Sequence, residues 1–149
     1  MNTKTHRHGF TLLEIVIVVA ITAIISRIVF ASFGAINNRQ MLDSDVALIK
    51  STIQKARLES LNSKGGIAHG VTFGSTSVTI VDQGTSTTRV ISHASGVTLS
   101  TSTFGTSTVI FERVTGIPSA TGTLTYSMMK GSTVIGTTSF SINSVGVIQ

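Results

Sequence analysis

The feature that most constrains this chain is an almost unbroken apolar run over residues 10–33. A basic leader, residues 1–9, precedes the run and ends in Gly9. One acidic side chain, Glu14, lies five positions into the run, where an ionised carboxylate is costly unless it finds a partner. A secretory signal peptide is cut after its apolar region, beside small residues. Here the small residue comes first, so a cut at Gly9 would leave the apolar segment on the mature chain.

The apolar run is long enough to cross a membrane as a helix. Fifteen of its residues are Leu, Ile, Val or Phe, and each favours insertion by about 0.3–0.6 kcal/mol at mid-membrane. Arg27 interrupts the run, but its long side chain can reach the headgroups. We therefore predict a transmembrane helix over residues 10–33. Basic residues flank the run on both sides, so charge alone leaves the orientation open.

A resemblance to a known family rests on the junction of leader and run, Gly9-Phe10-Thr11-Leu12-Leu13-Glu14. This segment resembles the class III signal of type IV pilins and type II secretion pseudopilins. In that family a prepilin peptidase cuts after the glycine and methylates the new N-terminal phenylalanine. The resemblance implies cleavage between Gly9 and Phe10 and N-methylation of Phe10. It also implies a single-pass protein of the cytoplasmic (inner) membrane with its C-terminus outside, and a periplasmic or extracellular filament after assembly.

Two interpretations of Glu14 stay open. A carboxylate in the first turn of a helix gains from the positive end of the helix dipole. In a polymer, Glu14 would instead pair with the freed α-amine of Phe10 on a neighbouring subunit, because a buried acid requires a partner or a proton. The resemblance favours the second interpretation and makes Phe10 and Glu14 the predicted assembly residues.

Beyond residue 33 the apolar pattern becomes amphipathic. One stripe recurs at spacings of four and three, as one face of a helix requires: Leu42, Val46, Ile49, Ile53 and Ala56. Four charged residues fall mainly off this stripe: Lys50, Lys55, Arg57 and Glu59. A stop signal for the helix follows at residues 64–66, which contain two glycines. We predict one helix over about residues 11–63, whose second half, within residues 34–64, packs on a domain.

The remaining residues, 65–149, read as an antiparallel β head domain. Short β-branched runs separated by Gly, Ser and Thr are typical of strands, and loops this short favour hairpins. The predicted strands are 71–73, 77–82, 87–92, 96–99, 108–112, 123–129, 133–142 and 145–148. Covering the apolar stripe with these strands gives an α+β fold, which by resemblance is the type IV pilin fold.

The β part carries a second resemblance, to H-type minor pseudopilins and related minor pilins. It rests on residues 110–118 followed by 122–125, on the closing stretch 140–148, and on the helix end 56–60. This resemblance implies a minor subunit. The terminal turn of that family often carries an arginine after the glycine, whereas Val147 follows the glycine here. The difference weakens a role in DNA uptake.

The charge pattern does not favour a nucleic-acid partner. The formal net charge is +5, but it is spread over leader, helix and head. After residue 64 the basic residues are only Arg89, Arg113 and Lys130, so no Lys/Arg cluster can neutralise several phosphates at once. The chain has no cysteine, which excludes disulfides and thiolate chemistry.

Catalysis has little support, and we predict no enzyme, no catalytic residue and no cofactor. His69 and His93 stand alone in the sequence and are expected to be ordinary surface or core residues. No Gly-x-Ser-x-Gly nucleophile elbow is present. A metal site would have to draw on His69, Asp82, His93 and Glu112, whose spacing fits no ligand motif, so no metal is predicted.

Together these observations predict a structural subunit of a type II secretion pseudopilus or a type IV pilus. Its expected partners are a prepilin peptidase, other pilin or pseudopilin subunits packed helix to helix, and an inner-membrane assembly platform. The alternative, from a different class, is a membrane-anchored periplasmic or extracellular β domain that binds DNA or a secreted substrate and never polymerises. The mass of the mature protein separates the two, because only the first requires loss of residues 1–9 and gain of a methyl group.

Overall fold

The computed structural model describes residues 10–84 and 88–149, without the side chains of residues 31–32. The described chain contains a long helix, α1 (Leu12–Leu61), a 3-10 turn (Lys64–Gly66) and seven strands. The strands are β1 (His69–Phe73), β2 (Ser77–Asp82), β3 (Thr88–Ser92), β4 (Val97–Ser102), β5 (Thr108–Phe111), β6 (Gly122–Lys130) and β7 (Thr133–Ile142). The predicted leader, with the cleavage residue Gly9, lies outside the described residues.

The helix α1 ends where left-handed residues interrupt its backbone. No proline interrupts the helix, and its observed bounds agree with the predicted helix over residues 11–63. At its C-terminal end Ser63 adopts a left-handed conformation with φ of 48°. Gly65 and Gly66 follow with φ of 67° and 73°. Successive left-handed residues cannot continue a right-handed helix, so the chain turns towards β1.

The chain divides into two compact units, residues 1–37 and 38–149. The first unit holds the apolar half of α1. The second unit holds the rest of α1 and all seven described strands, and we call it the head. Within the head the helix packs on antiparallel sheets, which confirms the predicted α+β fold.

Two antiparallel sheets make up the β part of the head. The four-stranded sheet has the order β3-β2-β1-β5, and the three-stranded sheet has the order β4-β6-β7. In the first sheet Val71 of β1 lies opposite Ile80 on one side and Val109 on the other. In the second sheet Leu124 of β6 lies opposite Phe140 of β7. These paired residues point into the core between the sheets and the helix.

The predicted apolar stripe of α1 forms the helical side of that core. Its five members are each 3% exposed or less: Leu42, Val46, Ile49, Ile53 and Ala56. The sheets contribute completely or nearly completely buried side chains, among them Val71, Val78, Phe111, Leu124, Tyr126 and Ile142. Full burial of one aliphatic side chain stabilises the fold by about 1.5–3 kcal/mol, so this face of α1 is held firmly on the sheets.

The predicted strand over residues 145–148 is wrong. Only an isolated bridge joins Ile148 to Ile142. The Asn143 side chain accepts hydrogen bonds from the backbone N–H groups of Val145 at 3.1 Å and Val147 at 2.8 Å. Gly146, with φ of 77°, supplies the left-handed residue of the resulting turn. An Asn side chain that captures the backbone in this way competes with strand pairing.

The expectation that Glu59 lies mainly off the buried stripe is also wrong. Glu59 is only 9% exposed, because it lies three positions after Ala56 and so continues the same helix face. Asp45 is likewise on this face and only 6% exposed. Both acids therefore need partners inside the head.

Candidate assembly segment and buried charges

Thr11 caps the N-terminus of α1. Its hydroxyl oxygen accepts a hydrogen bond from the backbone N–H of Glu14 at 3.2 Å, and its carbonyl accepts one from Ile15 at 3.3 Å. Thr11 and Glu14 have the Thr-x-x-Glu spacing of a capping box, in which the cap hydroxyl serves the third helical N–H. Sequence reasoning missed this role, although the spacing itself would have revealed it.

The helix that follows is covered by apolar side chains on every face. Each described side chain over residues 10–30 is exposed within the single chain, including Phe10 at 80% and Leu12 at 84%. By length and composition α1 can span a membrane, and it starts close to the N-terminus. A contiguous apolar surface of this size is not stable in water. Lipid or other apolar helices must therefore cover it, as in a membrane-anchored protein.

Polar groups inside the apolar half of α1 behave in two ways. The hydroxyl of Thr22 donates to the carbonyl of Val18 at 2.8 Å, and that of Ser26 donates to Thr22 at 2.7 Å. These hydroxyls are satisfied by their own helix. By contrast, Glu14 and Arg27 form no ion pair within the described residues.

In the head, Glu59 is the centre of an ion-pair network at the end of α1. One carboxylate oxygen accepts from Lys64 at 2.9 Å and the other accepts from Arg89 at 2.9 Å. Burial alone would raise the pKa of Glu59, but the hydrogen bonds and positive charges of Lys64 and Arg89 outweigh it. The pKa of Glu59 therefore lies below its ordinary value.

His69 extends this network to the strand pair β1–β2. It is 3% exposed, and both ring nitrogens face oxygen acceptors. Nδ1 lies 2.7 Å from the Asp82 carboxylate, and Nε2 lies 3.1 Å from the Lys64 carbonyl. Each ring nitrogen therefore has an oxygen atom within hydrogen-bond distance. His69 is a core residue, one of the two predicted alternatives, and the antiparallel register places it directly opposite Asp82, a partner that sequence spacing did not predict.

This network resembles a metal-ligand set in its distances but not in its chemistry. Ligand atoms of Glu59, His69 and Asp82 lie within 4.8 Å of one another. Glu59 is already neutralised by two cations, and both nitrogens of His69 point at oxygen acceptors. A metal ligand needs a free lone pair on the imidazole. We therefore assign these residues to an ion-pair network.

A second buried group joins α1 to the segment after β3. His93 Nδ1 lies 3.0 Å from a carboxylate oxygen of Asp45, although the two atoms are not aligned as a hydrogen bond. The other oxygen of Asp45 accepts from the backbone N–H of Ala94 at 3.0 Å. The Tyr126 ring meets His93 edge-on, with centroids 5.2 Å apart. Burial, together with the charge of Asp45, raises the pKa of Tyr126.

Both histidines of the head are thus held inside the protein. The side chains of His69 and His93 are 4% and 1% exposed. His93 is likewise one of the predicted surface or core residues, and its contact with Asp45 was not predicted.

The last two turns of α1 are tied to two loops of the head by Arg57. The guanidinium donates to the carbonyl of Gly116 at 3.2 Å and to that of Val145 at 2.8 Å. Nearby, the backbone N–H of Val114 donates to Ser60 at 3.1 Å. The three stretches of the second sequence resemblance, around residues 57, 116 and 145, therefore meet at one place.

Comparison with known proteins identifies the N-terminal segment. The family model described as the prokaryotic N-terminal methylation motif matches residues 4–26. This range includes Gly9, Phe10 and Glu14, and it ends one residue before Arg27. The match supports a precursor of the type IV pilin and pseudopilin kind. No curated protein and no solved structure matches the chain significantly.

Proposed function

We propose that this chain is a structural subunit of a type II secretion pseudopilus or a type IV pilus. The observation that carries the proposal is a methylation motif over residues 4–26, which overlaps a helix whose side chains over residues 12–30 are all exposed. Removal of the leader leaves an apolar helix at the N-terminus. This helix can lie in a membrane and then pack against the same helix of other copies. The head supplies a folded domain in which the side chains of both histidines are buried.

In this function Gly9 and Phe10 form the cleavage site of a prepilin peptidase, and Phe10 is then N-methylated. The new α-amine lies four residues before Glu14, about 6 Å along the helix. Glu14 of one subunit pairs with the amine of Phe10 on a neighbour, because both charges lose their water when helices pack. The Thr11 cap supports this role by fixing the first turn that carries Glu14.

The proposed organisation is a cleaved leader (1–9), a membrane and filament-core helix (10–33), an amphipathic helix (34–64) and the β head (65–149). The C-terminus lies outside the inner membrane, and an assembly platform in that membrane moves the subunit into the fibre. The three stretches that resemble H-type minor pseudopilins, residues 56–60, 110–118 and 140–148, meet at Arg57. Their contact supports a minor subunit of the H type. Secretion and pilus functions share all of these features.

Co-expression with a prepilin peptidase tests the proposal. Mass spectrometry should show a protein that begins at Phe10 and carries one added methyl group. The matched control is Gly9→Val, which keeps the leader and the helix but places a branched side chain at the cut, and it should stay uncut. A wild-type protein from its native cells that retains residues 1–9 and remains monomeric would instead identify a membrane-anchored binding domain.

A further inference from the structure

The apolar half of α1 contains one acid, Glu14, and one base, Arg27, and neither forms an ion pair within the described residues. Glu14 and Arg27 lie thirteen positions apart in the sequence, which is about 20 Å along a helix. This distance is too long for a salt bridge inside one copy. Both side chains are exposed. When the apolar helix packs against other helices, each charge loses its solvent and gains strongly from an opposite charge.

The two charges also point in different directions. Thirteen residues correspond to about 3.6 turns, so Glu14 and Arg27 project from faces about 140° apart. A helix therefore presents its acid to one neighbour and its base to another. Two copies that run parallel and are shifted by about 20 Å along their axes place the Glu14 of one beside the Arg27 of the other.

From this geometry we infer that Glu14 and Arg27 of successive copies pair and set the axial shift between neighbouring helices. The inference rests on the proposed function, in which all copies have the same orientation in the membrane. Each pairing leaves one unpaired acid and one unpaired base at the two ends of the pair. Such a head-to-tail contact does not close on itself and extends into a fibre.

Pairing with Arg27 is compatible with pairing to the α-amine of Phe10. A carboxylate has two oxygens and about four acceptor positions. The guanidinium of one neighbour and the amine of another can therefore share Glu14. Before assembly, Arg27 can extend along the helix to the lipid headgroups, so the unpaired monomer remains inserted.

The test uses disulfide cross-linking, which is favoured by the absence of cysteine from the chain. Ile17 and Phe30 each lie three positions after one of the two charges, on the same faces. In the full-length variant with Ile17→Cys and Phe30→Cys, expressed in the native cells, mild oxidation should give a ladder of dimers, trimers and higher forms. Within one copy the two thiols are about 20 Å apart, too far for a disulfide.

The matched control is the pair Ile17→Cys and Ala23→Cys. Ala23 lies seven positions before Phe30 and hence within about 20° of the same face, but it samples a shift of only about 9 Å. This pair should give at most a few per cent of the ladder. Adding Arg27→Gln to the first pair should reduce the ladder at least fivefold, and Arg27→Lys should restore most of it.

Two outcomes would overturn the inference. One is a correctly processed, fibre-forming protein that cross-links equally well through the control pair. The other is a ladder that Arg27→Gln leaves unchanged. The N-terminal mass measured on the same samples separates this failure from failure of the proposed function: an uncut monomer overturns both, whereas a methylated Phe10 without the ladder overturns only the pairing.

Discussion

At the scale of single residues, two acids of α1 differ in whether their own copy supplies an ion-pair partner. Glu59 is buried in the head and is neutralised there by Lys64 and Arg89 at 2.9 Å. Glu14, in the apolar segment, forms no ion pair within the described part of its own chain. A carboxylate that is satisfied internally stabilises the fold of one copy. On the proposed function, a carboxylate without an ion pair in its own copy gains one when another copy packs against it.

The ion pairs of Glu59 predict that the stability of the head depends on pH. The pKa of Glu59 is lower in the folded chain than the ordinary value of 4.5. Its contribution is therefore present above that value and is lost as the pH falls through the lower, folded pKa. Glu59→Gln should reduce the free energy of unfolding at pH 7 by about 1–3 kcal/mol and should flatten the loss of stability below pH 4.5.

Urea unfolding of the detergent-purified protein at several pH values measures both effects. Glu112→Gln is the matched control, because Glu112 is an exposed acid of the head that bonds only locally to Thr115 at 2.7 Å. The control should change the free energy of unfolding by less than about 0.5 kcal/mol. Equal effects of the two substitutions would show that Glu59 does not stabilise the head.

At the scale of elements, α1 changes its surroundings along its length without interruption of its backbone. Up to residue 30 its described side chains are exposed on all sides, whereas from Leu42 onward one face is buried on the sheets. The stripe that makes this second half amphipathic is regular in sequence. Individual stripe residues should therefore carry a large part of the stability of the head.

Ile53→Ala tests the stripe directly. Ile53 is completely buried, so the substitution should lower the free energy of unfolding of the head by about 2–5 kcal/mol through lost burial and a residual cavity. Leu48→Ala, on the same helix but 46% exposed, should cost less than about 1 kcal/mol. Denaturant unfolding followed by circular dichroism measures both variants. A cost for Leu48→Ala as large as that for Ile53→Ala would contradict the assignment of the buried face.

Sequence periodicity predicted the strands well where a β-branched run has clear turn residues at its end. The strands over residues 77–82 and 133–142 have the predicted bounds, since their β-branched runs end in clear turn residues. The prediction failed for residues 145–148, where the side chain of Asn143 captures the backbone. It also missed the link between His69 and Asp82, because strand register brings them together and no spacing in the sequence encodes it.

The candidate cleavage and assembly residues were predicted from the sequence for a different reason. Gly9, Phe10 and Glu14 lie in a contiguous motif, so no tertiary contact is needed to propose them. The buried positions of Asp45 and Glu59 were recoverable too, since both fall at stripe spacing. They were overlooked because a charged residue is normally expected on the solvated face of a helix.

At the scale of the whole molecule, insertion and assembly should be separable. Glu14→Ala keeps the apolar run and the Thr11 cap, so the variant should reach the membrane at the wild-type level. On the proposed function it should be at least tenfold depleted from fibres sheared off native cells, because the α-amine of Phe10 then lacks its partner. Immunoblots of the membrane and fibre fractions measure this ratio. Asp43→Ala, an exposed acid of α1 beyond the apolar run, is the control and should assemble normally.

Arg57 has a mechanical consequence for a molecule that is pulled by one end. In the proposed fibre, tension along α1 would reach the guanidinium near the helix end, which donates to the carbonyl of Gly116 and to that of Val145. Gly116 follows the last strand of the four-stranded sheet in the chain, and Val145 follows the last strand of the three-stranded sheet. A pull along α1 would therefore reach both sheets at once, through the segment that follows each of them.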